Sequence, residues 1–287
     1  LGSSTGLHSQ HGPRRLLGTI QTSVRERVEA MRRFAVIVAT VLLIAACGGS
    51  EAGSRSGAVS AARAAQPVRT VLVLTQTLGF HHASIPFAVD ALRRVAARDG
   101  RYRLVFLPSA SMLTTTRLKA AAAVVFLLTT GELPLSRSEK HALLAFVHAG
   151  GGLVGFHSAT DTFHHWPAYI RLIGAEFSSH PLPSTQRLVV EDRSTRATRA
   201  LAATFTIHEE FYVFKHDPRA HVHVLVRLDT PRGGPDRPLV WCRVSGSGRV
   251  FYDTLGHFPQ TWSDSRQLVL VSGGIDWAAG LARAPAC

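Results

Sequence analysis

Residues 150–161 read GGGLVGFHSATD, and this stretch decides the class of fold. Residues 153–156 form a short apolar run behind three glycines, which is typical of a strand buried on both faces of a parallel sheet. The run ends at His157, and a helical pattern follows in which Tyr169 and Leu172 share a face. A strand that ends in a polar residue on a tight turn into a helix lifts that side chain to the rim of the sheet, as a nucleophile elbow does. The sequence therefore predicts that His157 stands at such a rim.

The chain before this stretch alternates strands and helices. Further apolar runs predict strands at 71–74, 102–107 and 122–128. Ser84 is a candidate N-cap for a helix that stops at Gly100, and Ser136 with Glu139 forms a capping box for another. Alternating strands and helices with buried strands predict an α/β fold, a doubly wound and mostly parallel sheet with helices on both faces.

The pattern changes after Pro181, where strand-like segments dominate. These segments are 187–191, 206–214, 223–228, 238–244 and 249–253. A short helical piece is expected at 197–202, and a helix at 265–279 closes the domain. We expect the extra β-strands of the C-terminal half to extend one edge of the first sheet and to build a wall of a site.

The N-terminal residues are expected to lie outside the folded domain, which we place at 68–282. Residues 31–46 combine basic, apolar and small residues as a secretory signal does, and the ending at Cys47 resembles a bacterial lipobox. A transmembrane anchor is the alternative, but about 13 apolar residues are too few to span a bilayer. We therefore predict an exported lipoprotein on the extracytoplasmic face of the membrane, lipidated at Cys47, with 1–30 an upstream extension and 47–67 a flexible tether.

Composition argues against nucleic acid as a partner. The formal net charge is +13, but residues 1–46 carry six arginines and two acidic residues, so four of those charges lie outside the predicted domain. The remaining arginines are scattered rather than clustered as on a nucleic-acid face.

Three cysteines are too few for a disulfide framework. Cys242 and Cys287 could pair outside the cytoplasm, or Cys242 could be a small core residue.

Polar side chains recur where the predicted strands end, which is the edge at which ligands bind in open α/β sheets. They are His81, His82, Thr130, Glu132, His157, Asp161, Glu209, Glu210 and His257. Asp161 could instead cap the following helix. Alternation along the strand puts Glu210 and Tyr212 on one face and Glu209 on the other. Six other histidines are interpreted as surface or structural residues: 141, 148, 164, 216, 221 and 223.

Several motifs carry a resemblance to a known family. They are LVLTQTLGFHHASI (72–85), GGGLVGFHSATD, HWPAYIRLIGAEFSSHP (165–181), EEFYVF (209–214), GRVFYDTLGH (248–257) and GGIDWAAG (273–280). In this order they resemble the ThuA-like, trehalose-utilisation family, over residues 68–280. The resemblance implies a fold similar to class I glutamine amidotransferases without their cysteine. It favours His82, the second histidine of GFHH, over His81, and Glu210 over Glu209.

Two chemistries fit the candidate catalytic residues His82, His157, Asp161, Glu210 and His257. In the first, His157 is a general acid or base oriented by Glu210 or Asp161. In the second, His82, His157 and His257 with Glu210 hold a divalent metal such as zinc, which activates water or polarises a carbonyl. The candidate substrate contacts are Thr160, Trp166, His180 and Tyr212, and the aromatic residues Phe163, Trp166, Phe258 and Trp262 could stack on a sugar ring.

Other activities are excluded by missing groups. The elbow carries no thiol for amidotransferase chemistry, and it lacks the G-x-S-x-G motif of an α/β-hydrolase. GGGLVG forms a strand rather than the turn that binds a dinucleotide, so no nucleotide cofactor is expected. The resemblance implies a small-molecule carbohydrate as partner, with hydrolysis or isomerisation of a keto-glycoside as the expected reaction. The alternatives are a non-catalytic carbohydrate-binding or accessory lipoprotein of the cell envelope, and an amidotransferase relative that binds a partner enzyme.

Overall fold

The protein was analysed as a computed structural model that describes residues 67–230, 234–235 and 237–282. Its strands are β1 Arg69–Leu74, β2 Tyr102–Leu107, β3 Ala123–Leu127, β4 Gly152–Phe156, β5 Phe177–Ser179, β6 Ser184–Val190, β7 Thr204–Glu209, β8 Val213–Phe214, β9 His223–Leu228, β10 Pro238–Ser245 and β11 Gly248–Asp253. Its α-helices are α1 Ile85–Asp99, α2 Thr115–Lys119, α3 Arg137–His148, α4 Pro167–Ile173 and α5 Ser265–Ala278.

The main sheet of the described residues has nine strands in the order β2-β1-β3-β4-β11-β10-β9-β6-β7. The five strands from β2 to β11 run parallel, and the remaining neighbours pair antiparallel. The predicted mostly parallel α/β sheet is confirmed, and so are the extra strands of the C-terminal half, which extend the sheet beyond β11. β5 and β8 form a separate two-stranded ribbon.

Helices cover both faces of the parallel strands. Along β3 the side chains alternate, so that Val125 joins one apolar cluster and Phe126 the other. The first cluster contains the inner faces of α1 and α5, and the second contains those of α3 and α4. Burying a Leu, Val or Phe side chain contributes about 1.5–3 kcal/mol. Fully apolar runs such as β3 are therefore stable only between two helical layers.

Gly155 in β4 lets α4 pack closely on the sheet. A Cβ atom at this position would lie 2.7 Å from Cδ1 of Ile173 and 2.9 Å from Cβ of Ala159. Both distances are shorter than real carbon contacts, so any larger residue would push α4 away. This close packing fixes the position of the turn that follows β4.

The two predicted helix starts have different outcomes. The capping box is confirmed, because Ser136 Oγ accepts from Glu139 N and the Glu139 carboxylate accepts from Ser136 N. Ser84 does not cap α1 with its side chain. Its Oγ donates instead to the carbonyl of Gly256, 2.8 Å away, and so links the start of α1 to the loop after β11.

Two predicted elements of the C-terminal half were wrong. The strand expected at 206–214 is divided into β7 and β8, because residues 210–212 leave the sheet and direct Glu210 and Tyr212 towards other loops. The helical piece expected at 197–202 is a series of turns. Two short elements, α2 and β5, were not predicted.

The predictions for 1–30, 31–46, Cys47 and the tether up to residue 66 concern residues outside the described ones. Among the described helices, none combines the length and the apolarity that crossing a membrane requires. Cys242 is buried in β10 and is disulfide-bonded, and the predicted partner Cys287 is not among the described residues.

Candidate metal centre

Four strand ends bring together three imidazoles and one carboxylate. His82 follows β1, His157 follows β4, Glu210 follows β7 and His257 follows β11. Each offers one ligand atom, and these four atoms lie within 4.8 Å of one another. The sequence predicted this set from strand ends, with the family resemblance choosing His82 over His81 and Glu210 over Glu209, and the structure places all four in one cluster, which we call the His/Glu cluster.

His157 is held with one defined nitrogen facing the cluster. Its Nδ1 lies 2.7 Å from the carbonyl oxygen of Thr254, and because a carbonyl only accepts, Nδ1 carries the proton. In a neutral imidazole Nε2 then carries the lone pair; it faces the cluster, 3.1 Å from the Tyr212 hydroxyl and 3.6 Å from Oε1 of Glu210. The residue has a φ of 49°, a left-handed conformation that costs a non-glycine residue about 1–3 kcal/mol. The fold maintains this conformation at the position that the sequence assigned to the elbow.

Glu210 lies among the imidazoles. Its Oε1 is 3.3 Å from Nδ1 of His257, and its Oε2 is 3.3 Å from Nδ1 of His180. Burial disfavours the charged carboxylate, but the hydrogen bonds and charges of His157 and His257 outweigh burial and lower the pKa of Glu210. The carboxylate is therefore ionised at neutral pH. The Glu210 contact raises the pKa of His257, yet Nδ1 of His257 is buried without a well-directed hydrogen bond among the described residues.

His82 is a neutral imidazole inside the protein. Its ring meets the rings of His157 and His257 edge to face, with centroids 4.7 and 5.3 Å away. Burial, followed by the charges of His157 and His257, lowers the pKa of His82 to about 3. Its lone pair is thus available at neutral pH. Neutral imidazoles are the form in which histidine binds zinc.

Glu209 positions the loop that carries His257. Its carboxylate accepts from Gly256 N at 3.0 Å, from His257 N at 3.3 Å and from Thr261 Oγ1 at 2.5 Å. Gly256 has a φ of 131°, and a Cβ there would lie 2.7 Å from the Trp262 ring, so this turn requires glycine. The sequence predicted Glu209 and Glu210 on opposite faces of one strand, but the strand ends at Glu209, and the sequence did not indicate this role. The signal available in the sequence was a second glutamate, Glu209, directly before the candidate ligand Glu210, together with the Gly256-His257 pair.

Several predicted site residues lie elsewhere. Asp161 pairs with His164, 2.8 Å away, and it caps no helix because α4 starts at Pro167. Thr160 is buried against the Tyr252 hydroxyl at 2.9 Å. Trp166 is largely buried and packs with Phe163 and Tyr169 below the turn. These side chains face inward because the turn after His157 folds back onto the sheet.

Other predicted residues do line the cluster. Tyr212 contacts Nε2 of His157, and His180 contacts Glu210 from the partly exposed mouth. The ring of Phe258 meets His257 edge to face at 4.7 Å. Trp262 is fully buried and donates to the carbonyl of Gly256, so it supports the loop and cannot contact a substrate.

Phe80 was missed by the sequence reasoning. Its ring is 62% exposed, lies parallel to His257 within 17° and meets His82 edge to face at 4.7 Å. Thr130 anchors its loop, because the Thr130 hydroxyl donates to the Phe80 carbonyl and accepts from Gly79 N. His81 and Glu132 are exposed and point to Thr77 and His165 instead. An exposed aromatic ring is thus fixed at the mouth of the cluster.

The chemistry of the donor set fits a divalent metal. Three imidazole nitrogens and one carboxylate oxygen are ligands that zinc accepts. The Thr254 carbonyl on the far nitrogen of His157 is the contact that usually orients a metal-bound histidine. The poorly directed contact of His257 with Glu210 is explained if both atoms point at a common third partner. His82, His157, Glu210 and His257 would hold that metal.

The comparisons with known proteins agree with the resemblance in the sequence. The family model for ThuA, described as trehalose utilisation, matches residues 70–278. The chain belongs to the ThuA family. No curated protein matches it significantly.

Solved structures show the same ThuA-like fold. A ThuA-like protein from Bacteroides uniformis shares 23% identity and a TM-score of 0.63, covering 80% of this chain and 95% of its own. One from Parabacteroides merdae shares 20% identity and a TM-score of 0.62, covering 74% and 90%. The β-galactosidase of Rahnella sp. R3 has a TM-score of 0.53 at 13% identity, covering 76% of this chain and 32% of the galactosidase. At these identities the likeness concerns the fold alone.

Proposed function

We propose that this ThuA-like protein is a metal-dependent enzyme that acts on a sugar or sugar derivative, by hydrolysis or isomerisation of a keto-glycoside. The observation that carries the proposal is the His/Glu cluster, whose four ligand atoms lie within 4.8 Å. The description of the family as trehalose utilisation supports the carbohydrate class. A bound metal would supply Lewis acidity towards a carbonyl oxygen or lower the pKa of a water molecule.

Tyr212 is the proposed hydrogen-bond donor to the substrate oxygen. Burial, followed by the charges of Tyr252 and Glu210, raises the pKa of Tyr212 well above its ordinary value. The hydroxyl therefore stays protonated at neutral pH, and it lies 3.1 Å from Nε2 of His157. When that nitrogen binds a metal, the hydroxyl is free to donate to an oxygen next to it. His180 contacts Glu210 at the partly exposed mouth of the cluster, 3.3 Å from Oε2.

Phe80 is the proposed stacking surface for the sugar ring. An anchored loop holds the Phe80 ring 62% exposed, so in the unbound protein most of its apolar surface remains in contact with water. It does offer an apolar face to the C–H groups of a sugar next to His257. Phe80→Ala should weaken binding of trehalose about tenfold in calorimetry, whereas Phe87→Ala, which removes a 50% exposed ring from α1, should leave it unchanged.

Elemental analysis of the full chain tests the metal centre directly. The chain is purified without a His tag and without chelator, and we expect one divalent metal ion per chain. His157→Ala should lose most of the metal, and so should His257→Ala, which disturbs the fold less because His257 is partly exposed. His141→Ala removes an exposed histidine of α3 and should keep the metal. A metal-free wild type after incubation with zinc, or equal retention in all variants, would overturn the proposal.

Turnover separates an enzyme from a binding protein. The metal-loaded chain is incubated with trehalose and with a keto derivative of trehalose, and chromatography detects released sugars from hydrolysis and altered sugars from isomerisation. The enzyme proposal requires a product that disappears with chelator and in Tyr212→Phe. Saturable sugar binding without product under any metal condition would instead favour the carbohydrate-binding alternative.

The proposed location is the outer face of the cell membrane, with the protein anchored by lipid at Cys47. The signal-like residues 31–46 and the lipobox-like ending support this location. Cys47→Ser should move the protein from the membrane fraction to the soluble fraction of expressing cells. Retention in the membrane fraction would refute the lipid anchor.

A further inference from the structure

A cavity of about 680 Å³ opens at the edge of the domain opposite the His/Glu cluster. Four arginines line it: Arg98 from the last turn of α1, Arg101 from the connection between α1 and β2, and Arg196 and Arg199 from the connection between β6 and β7. α5 contributes apolar lining through Leu268. Because Arg101 immediately precedes β2, this edge is formed by the amino-terminal ends of the parallel strands.

Two of the four arginines are fixed by buried carboxylates. Arg101 contacts Asp99 and Asp276, both at 2.6 Å, and Asp276 is fully buried. Arg196 also pairs with Asp276 and lies 3.6 Å from Asp99. Two arginines and two aspartates thus form a neutral group, which holds the inner guanidinium groups in one arrangement.

The two outer arginines have no such partner. Arg98 and Arg199 are exposed, and within the part of the chain that the structure describes neither makes an ion pair or a side-chain hydrogen bond. The four arginines and two aspartates leave an excess of two positive charges around the cavity. Like charges around one opening repel each other, and a dianion between them removes that repulsion.

We propose that this arginine pocket binds a phosphate group, carried by a small phosphate monoester or by a phospholipid headgroup. Guanidinium groups recognise phosphate through paired N–H donors, and a phosphate monoester carries close to two negative charges at neutral pH. The cavity has the size of a small-molecule site, and Val95 and Leu268 offer apolar contact to the rest of such a ligand. The pocket is separate from the His/Glu cluster, so the proposal does not depend on the proposed function.

The same edge has further basic residues, which extends the positive surface. Arg69 begins β1, and its N–H donates to the carbonyl of Arg101 at 2.9 Å. Lys119 and Arg249 line a neighbouring cavity together with Arg69. β1 therefore begins beside the arginine pocket, and the basic side chains of this edge favour its contact with an anionic surface.

Calorimetry of the full chain at low salt tests the pocket with inorganic phosphate and glucose 6-phosphate. We expect submillimolar binding of at least one of them by the wild type. Arg98→Ser combined with Arg199→Ser should weaken it at least tenfold, because no internal ion pair is lost while both free charges are removed. The control pair Arg137→Ser and Arg171→Ser removes the same charge from exposed positions on α3 and α4 and should stay within twofold of wild type.

Vesicles distinguish the two sources of phosphate. The chain with Cys47→Ser is sedimented with phosphatidylcholine vesicles, with or without phosphatidylglycerol. The pocket is assigned to lipid headgroups if three results are found together. Vesicle binding requires phosphatidylglycerol, it decreases when Arg98 and Arg199 are both replaced by serine, and the small phosphates do not bind. The proposal is overturned if neither phosphate nor anionic vesicles bind, or if the control pair loses as much binding as the pocket pair.

Discussion

Asp253 at the end of β11 is predicted to make the protein less stable at alkaline pH. The carboxyl is fully buried and accepts from Leu255 N and from Nε2 of Gln267, both at 3.0 Å. Burial raises the pKa of Asp253 to about 7, against the effect of these two hydrogen bonds. Asp253→Asn keeps the shape and removes the charge. Rotating the Gln267 amide would then bring its Oε1, which has no other partner among the described residues, to the new Asn amide.

The magnitude follows from the two pKa values. The unfolded carboxyl titrates near 3.8 and the folded one near 7, so the folded state binds the proton more tightly. Below pH 3.8 both states are protonated, and the folding penalty is absent. It grows as pH rises to 7 and is complete above that. At about 1.4 kcal/mol per pH unit, the penalty at pH 8 exceeds that at pH 5 by about 3 kcal/mol.

Urea denaturation at pH 5 and pH 8 measures this difference. The free energy of unfolding of Asp253→Asn relative to wild type should be higher at pH 8 than at pH 5, by about 3 kcal/mol. All other titrating groups are shared, so they cancel in the comparison. Metal content should remain that of the wild type, because Asp253 is not among the cluster residues. If the difference between variant and wild type is the same at both pH values, the reasoning about the buried carboxyl is wrong.

Three further substitutions test how the fold supports the site. Glu209→Gln should lower metal affinity about 10–100-fold in chelator competition, because it weakens the hydrogen-bond acceptor that holds the His257 loop. The control Glu191→Gln, at an exposed glutamate, should leave metal affinity unchanged. Gly155→Ala should destabilise the protein by about 1–3 kcal/mol in urea, because its Cβ meets Cδ1 of Ile173, and adding Ile173→Val should recover part of that loss. Ser136→Ala should lower the free energy of unfolding by about 1 kcal/mol, because it removes the capping box, and should leave the metal content unchanged. A clear loss of metal in this variant would contradict a purely local role.

The parallel half of the fold could be predicted because its strands are buried on both faces. Residues 71–74 of β1, and all of β3 and β4, are buried runs of apolar residues and glycine, and a run of that kind has few other structures. The antiparallel half was predicted less exactly. The segment 206–214 is uniformly strand-like in sequence, and its division into β7 and β8 depends on contacts that residues 210–212 make with other loops. α2 has five residues, too few for a periodic pattern.

The candidate site could be predicted only as a set of strand ends. Histidines 157 and 257 follow from where their strands stop, whereas His82 and Glu210 were chosen over His81 and Glu209 by the family resemblance, and the roles of all four remain predictions. Asp161 occupies an equally favourable place in sequence, but its partner His164 is set by how the turn folds. Phe80 gave no signal, because sequence alone does not show that an aromatic residue in an apolar-looking loop is exposed.

The cluster residues come from four distant loops, and this has a consequence for folding. No short segment of the chain contains more than one of these ligands, so the unfolded chain has no comparable binding site. A metal that binds only the native state stabilises it by an amount that grows with free metal, about 2.7 kcal/mol at one hundred times the dissociation constant. Metal supply would then act on the lifetime of the whole domain as well as on its chemistry. A cell short of the metal would lose the protein itself, through unfolding and proteolysis.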